Sequence, residues 1–99
     1  MSTPTTEATI SIENAGNDVS LELLGATLVS VHIRGDGAAD YAVDVKPRQG
    51  SWIQGVTSGY SGSANYDDVI EQPAYELRIR CTSGTAGSGD QATITLMAG

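Results

Sequence analysis

Asp40-Tyr41-Ala42-Val43-Asp44-Val45-Lys46-Pro47-Arg48-Gln49-Gly50-Ser51-Trp52 decides how this chain is read. Tyr41, Val43 and Val45 alternate with Asp40, Ala42, Asp44 and Lys46. Side chains on a strand point alternately to its two faces, so this period of two predicts a half-buried strand with one apolar and one charged face. Pro47 has no N–H to offer a ladder and should end the strand. Gly50 permits a turn, and Trp52, the single tryptophan, follows as a candidate core anchor.

The same alternation recurs on both sides. Toward the N-terminus, Ala8–Glu13 reads as a strand, Asn14–Asp18 as a turn cluster, and Val19, Leu21 and Leu23 as the inner face of a second strand ending at Gly25. Val29, Val31 and Ile33 give a third strand over Thr27–Arg34, with Leu28, Ser30, His32 and Arg34 on its other face. Gly35-Asp36-Gly37 contains Asp-Gly between two alternating runs, which predicts a hairpin pairing Thr27–Arg34 with Asp40–Lys46. Toward the C-terminus, Ser51–Val56 is a candidate short strand. Thr57–Asn65 is rich in Ser, Gly and Tyr, and reads as either a weak strand or a surface loop. Asp67–Pro73 reads as a short helical turn capped by Asp67 or as a crossover. Tyr75–Thr82 is the strongest strand, with Tyr75, Leu77, Ile79 and Cys81 inward and Glu76, Arg78 and Arg80 outward. After a Gly/Ser loop, Ala92, Ile94 and Leu96 mark the last strand. No segment shows a helical period. The expected fold is therefore all-β, an antiparallel β-sandwich (jelly-roll or Ig-like) of about seven to eight short strands.

The 99 residues make one domain, read as a flexible N-terminal arm over residues 1–7 and a single β-sandwich domain over residues 8–99. A domain of this size buries about two thirds of its unfolded surface, enough to fold alone with a modest margin. Its 12 acidic and 5 basic residues leave a net charge of −7. Phosphate contacts need clustered lysine and arginine, so nucleic acid is not an expected partner, nor is an anionic membrane. The acidity suits high salt, where screening extends only about 3 Å at 1 M and self-repulsion is muted. One cysteine, Cys81, excludes an internal disulfide. The first residues have no charged and apolar stretches of a signal peptide, and no run approaches the ~20 apolar residues of a membrane span, so synthesis in the cytoplasm is expected.

No catalytic, cofactor or metal set emerges. His32 is the only histidine and lies on an outward strand face; nothing resembles a nucleophile elbow. Asp67-Asp68, or Asp36 with Asp40, are candidate calcium ligands, but neither has the spacing of a calcium loop, and they read as acidic surface. Paired carboxylates would also suit glycoside hydrolysis, for which a small sandwich offers little cleft. Arg34-Gly35-Asp36 spells an integrin-binding tripeptide that the hairpin would explain. Trp52, Tyr60 and Tyr66 are candidate sugar-stacking rings, the two tyrosines the better placed. Arg78 and Arg80 would pair with acids on a neighbouring strand or anchor an acidic patch on a partner. Cys81 reads as a small buried hydrophobe.

Tyr41–Val45, the turn to Gly50-Ser51-Trp52, Tyr75–Arg80, a Gly-rich turn and Ala92–Leu96 together resemble small β-sandwich decoration and fibre-type proteins of tailed viruses. That resemblance implies a non-enzymatic structural virion protein, most simply one that decorates or stabilises a capsid. It also implies a homotrimer attached to the major capsid protein or another virion protein, and the acidity would suit a halophilic archaeal host. The alternative is a carbohydrate-binding module for cell-surface attachment, because discoidin-like sandwiches show a similar order of strand, Trp and strand. A small hydrolase stands third.

Overall fold

The computed structural model describes residues 4–99. Six strands follow one another, β1 (Thr5–Ser11), β2 (Asp18–Glu22), β3 (Leu28–Lys46), β4 (Tyr60–Glu71), β5 (Glu76–Ser83) and β6 (Gln91–Ala98), with no helix among the described residues. All pairings are antiparallel. The sheet runs β1-β6-β3-β5-β2, and β4 lies along the other edge of β3. It curls until its ends, β1 and β2, come into contact, giving a nearly closed barrel. The all-β, antiparallel expectation holds at this level. The structure has one continuous six-stranded sheet where about seven to eight short strands were expected.

The difference originates in β3. Its 19 residues run straight through Gly35-Asp36-Gly37, where the sequence predicts a hairpin. A two-residue type I′ turn needs positive φ at its central residues, and neither Asp36 nor Gly37 has it. The glycines serve close approach instead: a Cβ on Gly35 would lie 3.0 Å from the Ala64 carbonyl, and one on Gly37 would lie 3.0 Å from Asp90 Oδ2. Register shifts between Arg34 and Ala39, and again before Tyr41, bend the strand. Its first half, Val29–Gly35, pairs with β6, and its second half, Asp40–Lys46, pairs with β5. One strand thus passes between the two halves of the curled sheet, and the expected pairing of Thr27–Arg34 with Asp40–Lys46 does not form.

Other boundaries shift less. Met1–Thr3 of the expected arm lie outside the described residues, while Thr5, Thr6 and Glu7 pair with Met97, Leu96 and Thr95. Ser51–Val56 makes a single bridge, Ile53 with Val45. Asp67–Glu71, read as a helical turn or crossover, continues β4. Gly59, at φ 71°, admits β4 beside β3, since a Cβ there would come within 2.6 Å of the Tyr41 carbonyl.

The core is made by the predicted inner faces. Val29, Val31, Ile33, Tyr41, Val43 and Val45 of β3 pack with Leu77, Ile79 and Cys81 of β5 and Ile94 and Leu96 of β6. Burying each such aliphatic side chain contributes roughly 1.5–3 kcal/mol. These side chains are small and mostly β-branched, and they fill a narrow interior that suits a chain without phenylalanine.

Candidate functional site

Two polar clusters sit on the outside of the sheet, one on each half of β3. On the first half, His32 and Arg34 stand in line two residues apart and face Asp67 across the β3–β4 pair. His32 Nδ1 lies 2.6 Å from Asp67 Oδ1, and Arg34 Nη2 donates to both Asp67 oxygens at 2.9 and 3.1 Å. Hydrogen bonds from His32 and then Arg34 hold the Asp67 carboxyl below its usual range. On the other side of His32, its cross-strand partner Thr95 donates to Glu7 at 2.8 Å. The result is a polar row across four strands, Glu7, Thr95, His32 and Asp67. A hydroxyl, an imidazole and a carboxylate therefore share a row, but the hydroxyl gives its proton to Glu7 and the row is solvent-exposed.

On the second half, the expected solvent face is covered. Asp44 is fully buried. Arg78 Nε and Arg80 Nε each donate to Asp44 Oδ2 at 2.7 Å, Arg80 Nη2 reaches Oδ1 at 3.3 Å, and the Gly55 N–H reaches Oδ1 at 3.0 Å. Trp52 lies against Arg78, with its ring centroid 4.3 Å from the guanidinium carbon, and Lys46 is 5.9 Å from the same ring. Residues 52–56 fold back as a strap, fixed by the Val45–Ile53 bridge and by Val56 N–H donating to the Val43 carbonyl. Burial alone would raise the Asp44 carboxyl, but the bonds from Arg80, Arg78 and Gly55 outweigh it and hold the group below its usual range.

Each sequence candidate can now be placed. Asp44 is corrected from a solvated residue to the buried centre of an ion-pair cluster, because the strap covers the face that alternation assigned to water. Arg78 and Arg80 do pair with an acid on the neighbouring strand, and Arg78 also lies 3.6 Å from Asp18. Trp52 is half-buried and belongs to the strap, so it is not a core anchor. Asp67 and Asp68 point to opposite faces; Asp68 accepts from the Tyr60 hydroxyl at 2.9 Å. Asp36 accepts from the Gln91 N–H and Asp40 from the Gly62 N–H. Among the described residues no three His, Cys, Asp or Glu groups converge as metal ligands. Arg34-Gly35-Asp36 lies inside β3, so the turn explanation for it fails. The Tyr60 and Tyr66 rings lie 5.3 Å apart, tilted by 40°, and Tyr66 meets Tyr41 edge-on at 5.9 Å. Cys81 is buried, and that burial raises its thiol.

Tyr41 adds a feature the sequence does not show. Its hydroxyl is buried without a hydrogen-bond partner among the described residues, and burial pushes its pKa up to about 12. Tyr41→Phe removes an unsatisfied polar group and is expected to raise stability by about 1 kcal/mol, read from urea unfolding.

Beside the His32 row the outer face turns apolar. Leu28, Ser30, Val69, Met97, Ala98 and Gly99 line a shallow groove of about 280 Å³.

No protein-family model matches the chain, and no curated protein matches it. Its fold matches solved structures. One is the crystal structure of the SPBc2 prophage-derived protein YomS, with a TM-score of 0.61 and 10% identity over 96% of this chain and 95% of that one. Another is a putative alpha-L-fucosidase from Bacteroides thetaiotaomicron, with a TM-score of 0.54 and 18% identity over 91% of this chain but only 21% of the enzyme. The chain shares its barrel-like sheet with a whole prophage-derived protein and with a fraction of a glycosidase.

Proposed function

We propose that this chain is a non-enzymatic structural protein of a tailed-virus particle that decorates or stabilises the capsid. The observation that carries the reading is the shared fold over 96% of this chain and 95% of a prophage-derived protein. The placement of charged groups supports it. Arg34, Arg78 and Arg80 are engaged in ion pairs within the chain, and His32 and Thr95 sit on an outer strand face. The acidic composition fits a host that lives in high salt. For the carbohydrate-binding alternative, the candidate rings are already engaged: Tyr60 and Tyr66 meet each other and Trp52 lies against Arg78.

In this reading the protein is a homotrimer bound to the major capsid protein or another virion protein, with interfaces of about 1,200–2,000 Å². Size exclusion with light scattering is expected to give the mass of three chains. Immunogold labelling of gradient-purified particles is expected to mark their surface. Bare particles with all label in the soluble fraction would overturn the proposal.

A further inference from the structure

We propose that the outer-face groove formed by Leu28, Ser30, Val69 and Met97 docks an extended segment of another particle protein, carrying apolar residues flanked by lysine or arginine. This rests on the reading of the chain as a particle component and names the surface that would do the attaching.

Three large apolar side chains are exposed together: Leu28 by 45%, Val69 by 65% and Met97 by 47%. They are neighbours by register. Ser30 pairs with Val69 on one side and Met97 on the other, and Leu28 stands on the same face of β3. The short serine between two longer side chains forms the floor, and Val69 and Met97 form the walls. Leu28, Val69 and Met97 are contiguous on this face, and a contiguous apolar patch with a polar border is the form an interaction surface takes.

The border indicates the partner's chemistry. Glu71 lies opposite Leu28, Asp67 one row beyond Val69, and Glu7 one row beyond Met97, opposite Thr95. All three carboxylates are exposed. Arg34 and His32 engage Asp67, and Thr95 donates to Glu7, while Arg78 and Arg80 are committed to Asp44 on the other half of the sheet. A second copy of this chain docked on this face would set its acidic border directly against the same border, and like charges in contact cost affinity even where salt mutes longer-range repulsion. A segment with cationic flanks pairs with the same border, steering its approach while the apolar groups are buried. The segment meets the face, where the apolar side chains stand, and two amides of β4 are already bonded to side chains of the same strand. Asp68 Oδ1 takes the Val69 N–H at 2.8 Å, and Ser63 Oγ takes the Asn65 N–H at 3.3 Å.

The test titrates the ¹⁵N-labelled full chain with two short synthetic peptides, one alternating leucine with lysine and one alternating leucine with glutamate. The lysine peptide is expected to shift the amides of Leu28, Ser30, Val69 and Met97, with affinity that falls as KCl rises. The double variant Val69→Ser with Met97→Ser should weaken it about tenfold, and Glu71→Lys should weaken it while leaving the dispersed spectrum intact. Equal binding of the glutamate peptide, shifts elsewhere, no shifts, or concentration-dependent shifts of these amides without peptide would each overturn the proposal, the last by assigning the groove to a second copy. Cosedimentation with particles separates this inference from the function it rests on. If wild type and the double variant bind particles equally, the groove assignment fails and the particle role stands. If wild type does not cosediment, the particle role fails and the peptide titration alone judges the groove.

Discussion

Asp44→Ala is expected to lower unfolding stability by about 3–5 kcal/mol, the largest effect of any single polar substitution in this chain. The substitution leaves the Arg78 and Arg80 guanidiniums facing each other, largely out of water and without their shared acceptor. It also frees the Gly55 N–H, so the strap loses one of its ties. A domain of this size loses about 4–8 °C of melting temperature per kcal/mol, which makes the change easy to read in a thermal or urea scan. The triple replacement Asp44→Leu, Arg78→Leu, Arg80→Met should recover much of the loss, because a buried ion cluster contributes little over well-packed apolar side chains once no charge is stranded. The pH profile carries a second signature. The folded Asp44 carboxyl titrates below its unfolded value of about 3.9, so its stabilisation is complete above that pH and fades as pH falls through the folded value. The Asp44→Ala protein should lack that part of the acid limb. A wild-type-like acid limb and stability in Asp44→Ala would contradict this account.

Ile79→Ala is expected to cost about 2–5 kcal/mol. Ile79 is fully buried in the middle of β5, with Val19 of β2 on one side and Val43 of β3 on the other. Both neighbours are short and β-branched, with restricted χ1, so they reach little of the space left behind. The backbone ladders on both sides prevent collapse of the sheet. Urea unfolding should show a lower midpoint with an unchanged slope, and a midpoint within error of wild type would show that the core closes over the void. Ile79→Val, which removes one methylene, should cost about 0.5–1.5 kcal/mol and sets the scale.

The inner faces were legible because alternation is a local property. Val29, Val31 and Ile33, then Tyr41, Val43 and Val45, then Leu77, Ile79 and Cys81 all point inward as their spacing predicts. The hairpin that Asp36-Gly37 predicts fails for an equally local reason. Asp-Gly favours a turn in an isolated peptide, but here the flanks are captured by β6 and then β5, and two ladders outweigh one turn preference. Asp67–Glu71 was ambiguous because its two adjacent aspartates break the pattern; one serves His32 and Arg34, the other Tyr60 and Val69. Trp52 reads as a core anchor from its size and its place just after a strand and turn, yet its ring lies on Arg78, which no spacing in sequence reveals.

The sequence by itself determined that this is an all-β chain, where β1, β2, β5 and β6 lie to within a few residues, and most of the side chains that make the core. Those follow from a period of two and from Gly and Pro at the breaks, which act over a few neighbouring residues. Only the tertiary structure decided that Leu28–Lys46 is one bent strand, that the sheet curls toward a barrel, and that Asp44 is buried. Each depends on residues distant in sequence, since Arg78 and Arg80 lie 34 and 36 positions from Asp44. An alternating strand names its apolar face, but whether water or another part of the chain meets the other face is settled only when the strap closes over it.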